Sequence, residues 1–319
     1  MFTLVANRAL APSSKLAATG WLADHVHISG IEATTDDACY RAMDWLVQVQ
    51  DQIGRGVFDA VAHLLNLEVD LLFFDTTSTY FETEDADEPA WRDENGRLLP
   101  EDDVNDDAGA DPPAGAASRA GFRTYGKSKD SREDLPQVIV GMAVTRDGIP
   151  VRVWCWPGNT SDSPLIRQVK DEMRDWTLGK VVWVADRGFT SAENRRHLMA
   201  GGGGYILGEK LRSGSVEARA ALSRQGRYTD VRANLRVKEV KISEVTGTGE
   251  RFIVCHNPDA AIRDAAIRQR MIDRLQAMIE NTDGWSATKR AELRGVISTK
   301  AGLNRYLRVT PKPGVFTPI

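Results

Sequence analysis

VDLLFFD at residues 69–75 and KVVWVAD at residues 180–186 set the architecture of this chain. Both are runs of apolar and β-branched residues that end in an aspartate, a pattern typical of strands inside a sheet. The first run is almost continuously apolar and predicts a central strand buried on both faces. Ligands bind at the carboxyl ends of strands in open α/β sheets. We therefore expect a site at Asp75 and Asp186, where the two strands end.

Between and after these two runs, sequence patterns typical of strands alternate with patterns typical of helices. Two β-rich segments flank an Arg-Asp-Gly turn and predict a hairpin, while a Ser-Pro pair and a capping box each predict the start of a helix. This order of strands and helices predicts an α/β fold with a mixed sheet. The predicted elements are strands over 137–145 and 151–156, a helix from Ser163-Pro164, a strand over 180–186, a helix from Thr190 to about Ala200, and a strand over 205–207.

The N-terminal part of the chain has a helical pattern. Apolar residues at near-helical spacing predict helices over 36–67. Asp36 or Asp37 is the expected N-cap, and Gly54 and Gly56 are expected to break the segment into two helices.

The C-terminal part combines a β-rich segment with two helices. The β-rich segment covers 223–256, a long helix follows from Asn257-Pro258 to about Glu280, and a second helix covers 286–298. The chain is therefore predicted to have three parts: a helical segment over 1–67, an α/β core over 68–210, and a β-rich plus helical region over 211–319.

The composition indicates a protein with a buried core and no membrane span. Of the 319 residues, 42% are hydrophobic and 27% are charged, and no apolar run reaches the roughly 18 residues that a membrane helix needs. The first residues lack the apolar core of a secretory signal. The three cysteines lie far apart without zinc-site spacing, which excludes a disulfide scaffold and favours a reducing cytoplasm.

The net charge of −4 hides two regions of opposite charge. Residues 82–112 contain 13 acidic and two basic residues, a net charge of −11, so the rest of the chain carries +7. Because segments rich in acids cannot bury enough apolar surface to fold, residues 83–120 are predicted to form an acidic mobile loop. The basic remainder leaves nucleic acid open as a partner.

Asp75 and Asp186 suit a divalent metal if the sheet brings them together. Two neighbouring carboxylates repel each other unless a proton or a cation joins them, and their hard oxygen atoms suit Mg²⁺ or Mn²⁺. Two such ions would support in-line phosphoryl displacement. Two alternatives stay open: each aspartate caps a turn after its strand, or Asp186 pairs with Arg187.

A different interpretation takes FDTTST, residues 74–79, as the nucleophile motif of haloacid-dehalogenase-like phosphatases. That chemistry needs a second acid two residues after the nucleophile. The chain has Thr77 there, whose hydroxyl cannot serve as a general acid, so this interpretation is not favoured.

Several basic side chains are candidates for contacts with DNA phosphates. The alternative for each is a solvated charged loop or strand end. These candidates are Lys127, Lys129, Arg187, Lys210 and Arg212.

Four segments are recognisable as a set: FFDTTSTYFE at 73–82, YGKSKDSREDLPQVIVGMAVTRDGIPV at 125–151, WPGNTSDS at 156–163 and VVWVADRGF at 181–189. Together they closely resemble bacterial insertion-sequence transposases of the DDE group, which carry a β-rich insertion in an RNase H-like core. The resemblance runs over nearly the whole chain.

The resemblance implies both a fold and an activity. It implies an RNase H-like catalytic core over 68–210 and an insertion from about 211, with Asp75 and Asp186 as the first two catalytic acids and ligands of Mg²⁺, with Mn²⁺ as the alternative. Such enzymes bind the terminal inverted repeats of their element, hydrolyse a strand at its end and join the 3′-hydroxyl to target DNA. The implied partners are double-stranded DNA and a second subunit in a homodimer. The implied location is the cytoplasm, at the nucleoid.

One element of the resemblance is missing from the sequence. The third acid of the group is a Glu in a Y-x2-R-x3-E-x6-K pattern after the insertion, but Tyr306 is followed by Val309 at the Arg position and no Glu follows Glu292. Glu209 precedes the insertion and follows a strand. We therefore expect a truncated chain with no third acid, a core incomplete at the C-terminus, and lost or severely impaired catalysis.

Other functions stay open beside that of an impaired transposase. The chain could serve as a non-catalytic fragment that binds element DNA or full-length subunits and inhibits them, or it could be a pseudogene product. A nuclease unconnected with transposition is the remaining enzyme alternative.

Overall fold

The computed structural model describes residues 1–93, 98–99, 112–116, 118–176, 178, 180–211, 214–242, 250–309 and 316–318. The protein divides into two compact units, Met1–Glu209 and Lys210–Ile319. No helix among the described residues combines the length and the apolar character needed to cross a membrane.

The first unit contains five α-helices and seven strands within its described residues. The helices are α1 (Phe2–Leu10), α2 (Lys15–Asp24), α3 (Asp36–Leu65), α4 (Asp162–Glu172) and α5 (Ala192–Met199). The strands are β1 (Leu71–Tyr80), β2 (Ala90–Arg92), β3 (Ser118–Ala120), β4 (Gln137–Val144), β5 (Pro150–Pro157), β6 (Val182–Ala185) and β7 (Gly204–Leu207).

Five of these strands form one mixed sheet in the order β5-β4-β1-β6-β7. Strand β4 runs antiparallel to β1 and β5, whereas β1, β6 and β7 are parallel. Counted along the chain without the short β2-β3 ribbon, the order is third, second, first, fourth and fifth, with the second strand reversed. This is the RNase H-like arrangement, so the predicted α/β core with a mixed sheet is confirmed.

Strand β1 differs from its prediction in length and in burial. It continues five residues past Asp75 to Tyr80, and its residues alternate between buried and exposed. Leu72 and Phe74 lie in the core, but Phe73 is 39% exposed. The prediction of a strand that ends at Asp75 and is buried on both faces is therefore wrong. The apolar run was misleading because Phe73 belongs to the open face of the sheet.

The buried face of the sheet packs against α3, α4 and α5. Helix α4 buries Leu165, Ile166 and Val169, which lie on one face at helical spacing. Aromatic residues fill much of the space between the layers. The largest members of this core are Phe58, Phe74, Trp154, Trp156, Trp176, Trp183 and Phe189.

Helix α3 is continuous over 30 residues, with Gly54 and Gly56 in its interior. The predicted break is therefore wrong, because a glycine costs only about 1 kcal/mol in a helix interior and the helix is anchored on either side of these glycines by the buried residues Cys39 and Phe58. The N-cap is Thr35, whose hydroxyl accepts a hydrogen bond at the helix start. Asp36 and Asp37 lie in the first turn instead of capping it.

Part of the acidic segment is ordered. Strand β2 pairs antiparallel with β3, and the carboxylate of Asp87 accepts hydrogen bonds from the backbone N–H and the guanidinium of Arg123 at 2.8 and 2.7 Å. The guanidinium hydrogen bond lowers the pKa of Asp87. The mobile loop predicted over 83–120 is therefore wrong at its two ends. Its residues outside the described part are 94–97, 100–111 and 117.

The second unit has an antiparallel sheet and a separate helical cluster among its described residues. Strands β8, β9 and β10 form the sheet. Helix α6 packs against it, with Ala221 of the helix in one cluster with Val240 and Ile242 of β9. The β-rich segment and both long helices predicted here are confirmed, whereas α6 was not predicted. The elements are α6 (Val216–Ser223), β8 (Thr229–Arg232), β9 (Leu235–Ile242), β10 (Glu250–His256), α7 (Pro258–Ile279), α8 (Ala287–Ser298), α9 (Ala301–Asn304), β11 (Leu307–Val309) and β12 (Phe316–Pro318).

A half-buried ionic network joins three elements of the first unit. Arg152 on β5 contacts Asp51 on α3 and Glu172 at the end of α4, each at 2.9 Å, and its side chain is 10% exposed. Its guanidinium lies over the rings of Trp154 and Trp176 at 5.1 and 5.6 Å. Glu172 also accepts a hydrogen bond from the Trp154 indole at 2.8 Å. Arg152 is therefore a cross-link between the sheet and two helices.

We predict that Arg152→Met lowers the free energy of unfolding by about 3 kcal/mol, because it leaves a largely buried carboxylate without its cation. Urea unfolding followed by tryptophan fluorescence measures this. Arg174→Met is the control, since that side chain is 75% exposed and an exposed pair contributes at most about 1 kcal/mol. Equal losses in the two variants would contradict a structural role for Arg152.

Candidate metal centre

Two aspartates meet at the carboxyl ends of neighbouring parallel strands. The last residue pair of strands β1 and β6 places Phe74 opposite Ala185. Asp75 and Asp186 directly follow these two residues. Because paired strands lie about 4.8 Å apart, the two aspartates are side by side. Both are exposed, and both line one groove on the open face of the sheet.

Each carboxylate is held by a nearby backbone N–H group. Asp75 Oδ1 accepts from the N–H of Thr76 at 2.7 Å, and Asp186 Oδ1 accepts from the N–H of Gly188 at 2.6 Å. Within the described part of the chain, Oδ2 of neither aspartate accepts a hydrogen bond, and Arg187 forms no ion pair with Asp186. One oxygen of each carboxylate is therefore fixed, and the other is available to a ligand.

The turn-capping role considered for Asp186 is present in the structure. Asp186 is the N-cap of a short 3-10 turn, Arg187–Phe189. A Cβ at Gly188 would lie 2.9 Å from Asp186 Oδ1, so a larger residue there would displace the carboxylate. Capping through Oδ1 is compatible with ligand binding through Oδ2.

An aromatic contact couples the backbone segments that carry the two acids. Phe74 precedes Asp75, Phe189 closes the turn after Asp186, and their ring centroids are 5.3 Å apart in an edge arrangement. Both rings are almost fully buried. Trp154 makes a second edge contact with Phe74 at 6.0 Å. Since such pairs add favourable energy beyond burial, the Phe74–Phe189 contact stabilises the spacing of the site.

Asn194 supports the same turn and was missed by sequence reasoning. Its side-chain amide donates to the carbonyl of Phe189 at 3.0 Å and to that of Ser163 at 2.7 Å. The residue is 1% exposed. It joins the start of α4, the turn after Asp186 and helix α5. Nothing in the local sequence marks it, because one asparagine in the first turn of a helix is common.

The groove beside the acids is open and mostly apolar. It has a volume of about 550 Å³, and Met142 and Val153 on its floor are 43% and 57% exposed. Apolar surroundings strengthen the attraction between a carboxylate and a cation, because they exclude part of the water. The other lining residues are Phe73, Phe74, Thr76, Thr77, Val140, Val144, Val184 and Ala185.

The loop that carries Lys127 and Lys129 is anchored by close backbone packing. Gln137 is fully buried; its side chain donates to the carbonyl of Gly158 at 2.8 Å, and its backbone pairs with Thr124 at 3.0 and 3.1 Å. A Cβ at Gly158 would overlap the carbonyl oxygens of Gln137 and Thr124. The segment before Lys127 and the turn after β5 are therefore held together without space for a side chain.

The structure places the predicted phosphate-contacting residues in different settings. Lys127 is exposed in its loop, and Arg187 is exposed beside Asp186. The Lys129 ammonium is taken up by protein partners, the backbone and hydroxyl oxygens of Thr76. Lys210 is exposed in the second unit, and Arg212 lies outside the described residues.

The two aspartates fit a divalent cation. Mg²⁺ is usually bound in proteins through one or two carboxylates together with waters and substrate phosphates, and the two neighbouring aspartates, each with its Oδ2 available, match this number of carboxylates. Among the residues that the structure describes, no group of three or more His, Cys, Asp and Glu side chains is arranged for a metal. Within the described residues, the candidate site therefore contains two carboxylates, those of Asp75 and Asp186.

Comparison with known proteins identifies one family. The family model described as the transposase DDE domain matches residues 111–278; Asp186 lies inside the match and Asp75 before it. Among solved structures, a chain of the cryo-EM structure of the piggyBac transposase synaptic complex with hairpin DNA is similar, with 12% sequence identity and a TM-score of 0.33. The similarity covers 80% of this chain and 49% of that one, so this chain spans about half its length. No curated protein matches significantly.

We predict that Gly158→Ala lowers the free energy of unfolding by about 3 kcal/mol, the upper range for overpacking, because the crowded oxygens belong to the backbone and cannot rotate away. Thermal unfolding measures the loss. Gly56→Ala is the matched control, since its Cβ would meet nothing within 4 Å and alanine favours a helix by about 1 kcal/mol. An unchanged melting temperature for Gly158→Ala would contradict the close packing described for this loop.

Proposed function

The chain belongs to the transposase DDE domain family, whose model matches just over half of it, and from this membership we propose that its core serves the transposition of an insertion sequence. The proposed reaction is hydrolysis of a phosphodiester at each end of the element, followed by joining of the freed 3′-hydroxyl to target DNA. The observation that carries the proposal is the position of Asp75 and Asp186, which directly follow the last β1–β6 residue pair and line one groove on the open face of an RNase H-like sheet.

In the proposed site, the carboxylates would bind the metal ion and nearby backbone groups would hold the carboxylates in position. Asp75 and Asp186 would hold Mg²⁺ or Mn²⁺ through their Oδ2 atoms, while the N–H groups of Thr76 and Gly188 keep each Oδ1 in place. The ion, when bound, would stabilise the charge that develops on the phosphoryl oxygens. The spacing of the two carboxylates is maintained by strand pairing, so little reorganisation is needed when a phosphate enters the groove.

The DNA itself would be held by basic residues outside the acid pair. Lys127 and Arg187 are exposed on the first unit and would contact the phosphates on either side of the scissile bond. Lys210, which is exposed in the second unit, and Arg212, which lies outside the described residues, are further proposed phosphate contacts. Because two element ends must be processed together, the proposed assembly is a homodimer on double-stranded DNA carrying the terminal inverted repeats.

We predict that Asp75→Asn and Asp186→Asn each weaken Mn²⁺ binding at least about tenfold, since loss of a direct ligand exceeds the effect of losing an outer-shell partner. Electron paramagnetic resonance titration of the whole chain measures free Mn²⁺. Asp44→Asn, an exposed position on α3, is the control and should bind as the parent does. Equal binding by all three variants would place the cation elsewhere.

A second candidate function is non-catalytic binding of element DNA or of another transposase subunit. It is favoured by one observation: no third carboxylate joins Asp75 and Asp186 within the residues that the structure describes. A repeat-bearing duplex, incubated with the parent chain in Mg²⁺ and in Mn²⁺, separates the two functions. Binding that weakens with salt, without cleavage in either metal, would favour this second function; metal-dependent nicking at the repeat would exclude it.

A further inference from the structure

From Asp75 onward, one edge of strand β1 has no partner strand among the described residues. Strand β6 pairs with Leu71–Phe74 only and ends at Ala185, whereas β4 on the other side pairs with β1 as far as Tyr80. Backbone groups on an edge without a strand partner need other hydrogen-bonding groups. The first residue after the last β1–β6 pair is Asp75. A group that hydrogen-bonds to this edge therefore lies next to Asp75 and affects its position.

Lys129 supplies one of these groups. Its ammonium donates to the carbonyl oxygen of Thr76 and lies 3.2 Å from the hydroxyl of the same residue. The backbone N–H of Lys129 donates to the hydroxyl of Ser78 at 2.9 Å. The lysine therefore follows β1 immediately after Asp75, where a further strand residue would otherwise lie.

The same ammonium reaches a second element. Asp162 Oδ2, in the first residue of α4, lies 3.8 Å from Lys129 Nζ. Asp162 belongs to the WPGNTSDS segment and Lys129 to the YGKSKDSRED segment. The ammonium group of Lys129 thus links strand β1, the loop that carries Lys129, and the start of helix α4.

Thr76 transmits this contact to the acid. Its N–H is the group that fixes Asp75 Oδ1, and its carbonyl is the group that Lys129 binds. The N–H lies in the peptide before the Thr76 Cα and the carbonyl in the peptide after it, so a shift of the Thr76 backbone would move the N–H group that holds the Asp75 carboxylate. Without the lysine, the carbonyl would turn toward water to recover a hydrogen bond.

We propose that Lys129 is a positioning residue of the metal centre, which fixes the direction of the Asp75 carboxylate by binding Thr76 and Asp162, rather than a contact to DNA phosphates. This inference rests on the proposed function, since it assumes that Asp75 binds the cation. Lys129 was one of the candidates for a phosphate contact, and its side chain is 41% exposed. It differs from Lys127, which is exposed in the same loop, in that its ammonium binds Thr76 and lies near Asp162.

The test compares Mn²⁺ affinity in the parent chain, Lys129→Met, Lys129→Arg and the control Lys180→Met, an exposed lysine ahead of β6. Titrations at a temperature where all four are folded are followed by electron paramagnetic resonance. Loss of an outer-shell partner weakens metal binding about 10- to 100-fold. We expect a loss in this range for Lys129→Met, most of it restored in Lys129→Arg, and none in Lys180→Met.

Asp162→Asn provides a second variant in case Lys129→Met does not fold. It keeps Lys129 and its contact with Thr76 and removes only the negative charge of Asp162. A smaller weakening of Mn²⁺ binding is therefore expected. Combined with Lys129→Met, it should add little, because the two residues act through one contact. Fully additive losses would overturn the proposed link.

The outcomes separate this inference from the proposed function. A parent that binds no Mn²⁺ would overturn both. A parent that binds Mn²⁺, with Lys129→Met binding it equally well, overturns only the positioning role, whether that variant melts earlier or not. If Lys129→Met keeps its Mn²⁺ affinity but binds duplex DNA more weakly, Lys129 is a phosphate contact and the inference is wrong.

Discussion

The parallel pairing of β1 with β6 is the constraint on which the rest of the first unit depends. It involves only four residue pairs, Leu71–Phe74 with Val182–Ala185, yet it joins segments separated by a hairpin, a helix and the acidic segment. Because side chains alternate along a strand, a shift of one residue in this register would turn Asp75 or Asp186 into the core. The buried aromatic contact between Phe74 and Phe189 opposes such a shift.

The two faces of the sheet have separate tasks as a result. The buried face packs against three helices and carries most of the first unit's buried apolar residues, and its ionic and aromatic contacts converge on Arg152 and Trp154. The open face carries the acids on an apolar floor. Residues adjacent in sequence thus serve different ends: Phe74 stabilises the core, and Asp75 is available to a ligand.

Sequence reasoning found the two aspartates that follow apolar runs and the mixed α/β sheet, because apolar runs, the turn at 146–148 and helix caps are local signals. The RNase H-like arrangement was implied only by the resemblance to transposases. It failed where the deciding contact was distant. Phe73 looked like a core residue until its register placed it on the open face. The roles of Gln137 and Asn194 depend on partners such as Gly158 and Phe189, to which spacing gives no clue. Lys129 was a candidate for a phosphate contact or a solvated loop residue because its acceptor, Thr76, lies on another element.

The short ribbon of β2 and β3 has a consequence for how this fold tolerates change in length. Since Ala90–Arg92 and Ser118–Ala120 are paired and Asp87 is bound to Arg123, the intervening chain leaves and re-enters the core at neighbouring points. The entropy of closing such a loop rises only slowly with its length, by about 0.6 kcal/mol for each doubling. The ribbon is therefore a site where insertions of very different length can be tolerated. The register of the two strands that carry the aspartates would not change.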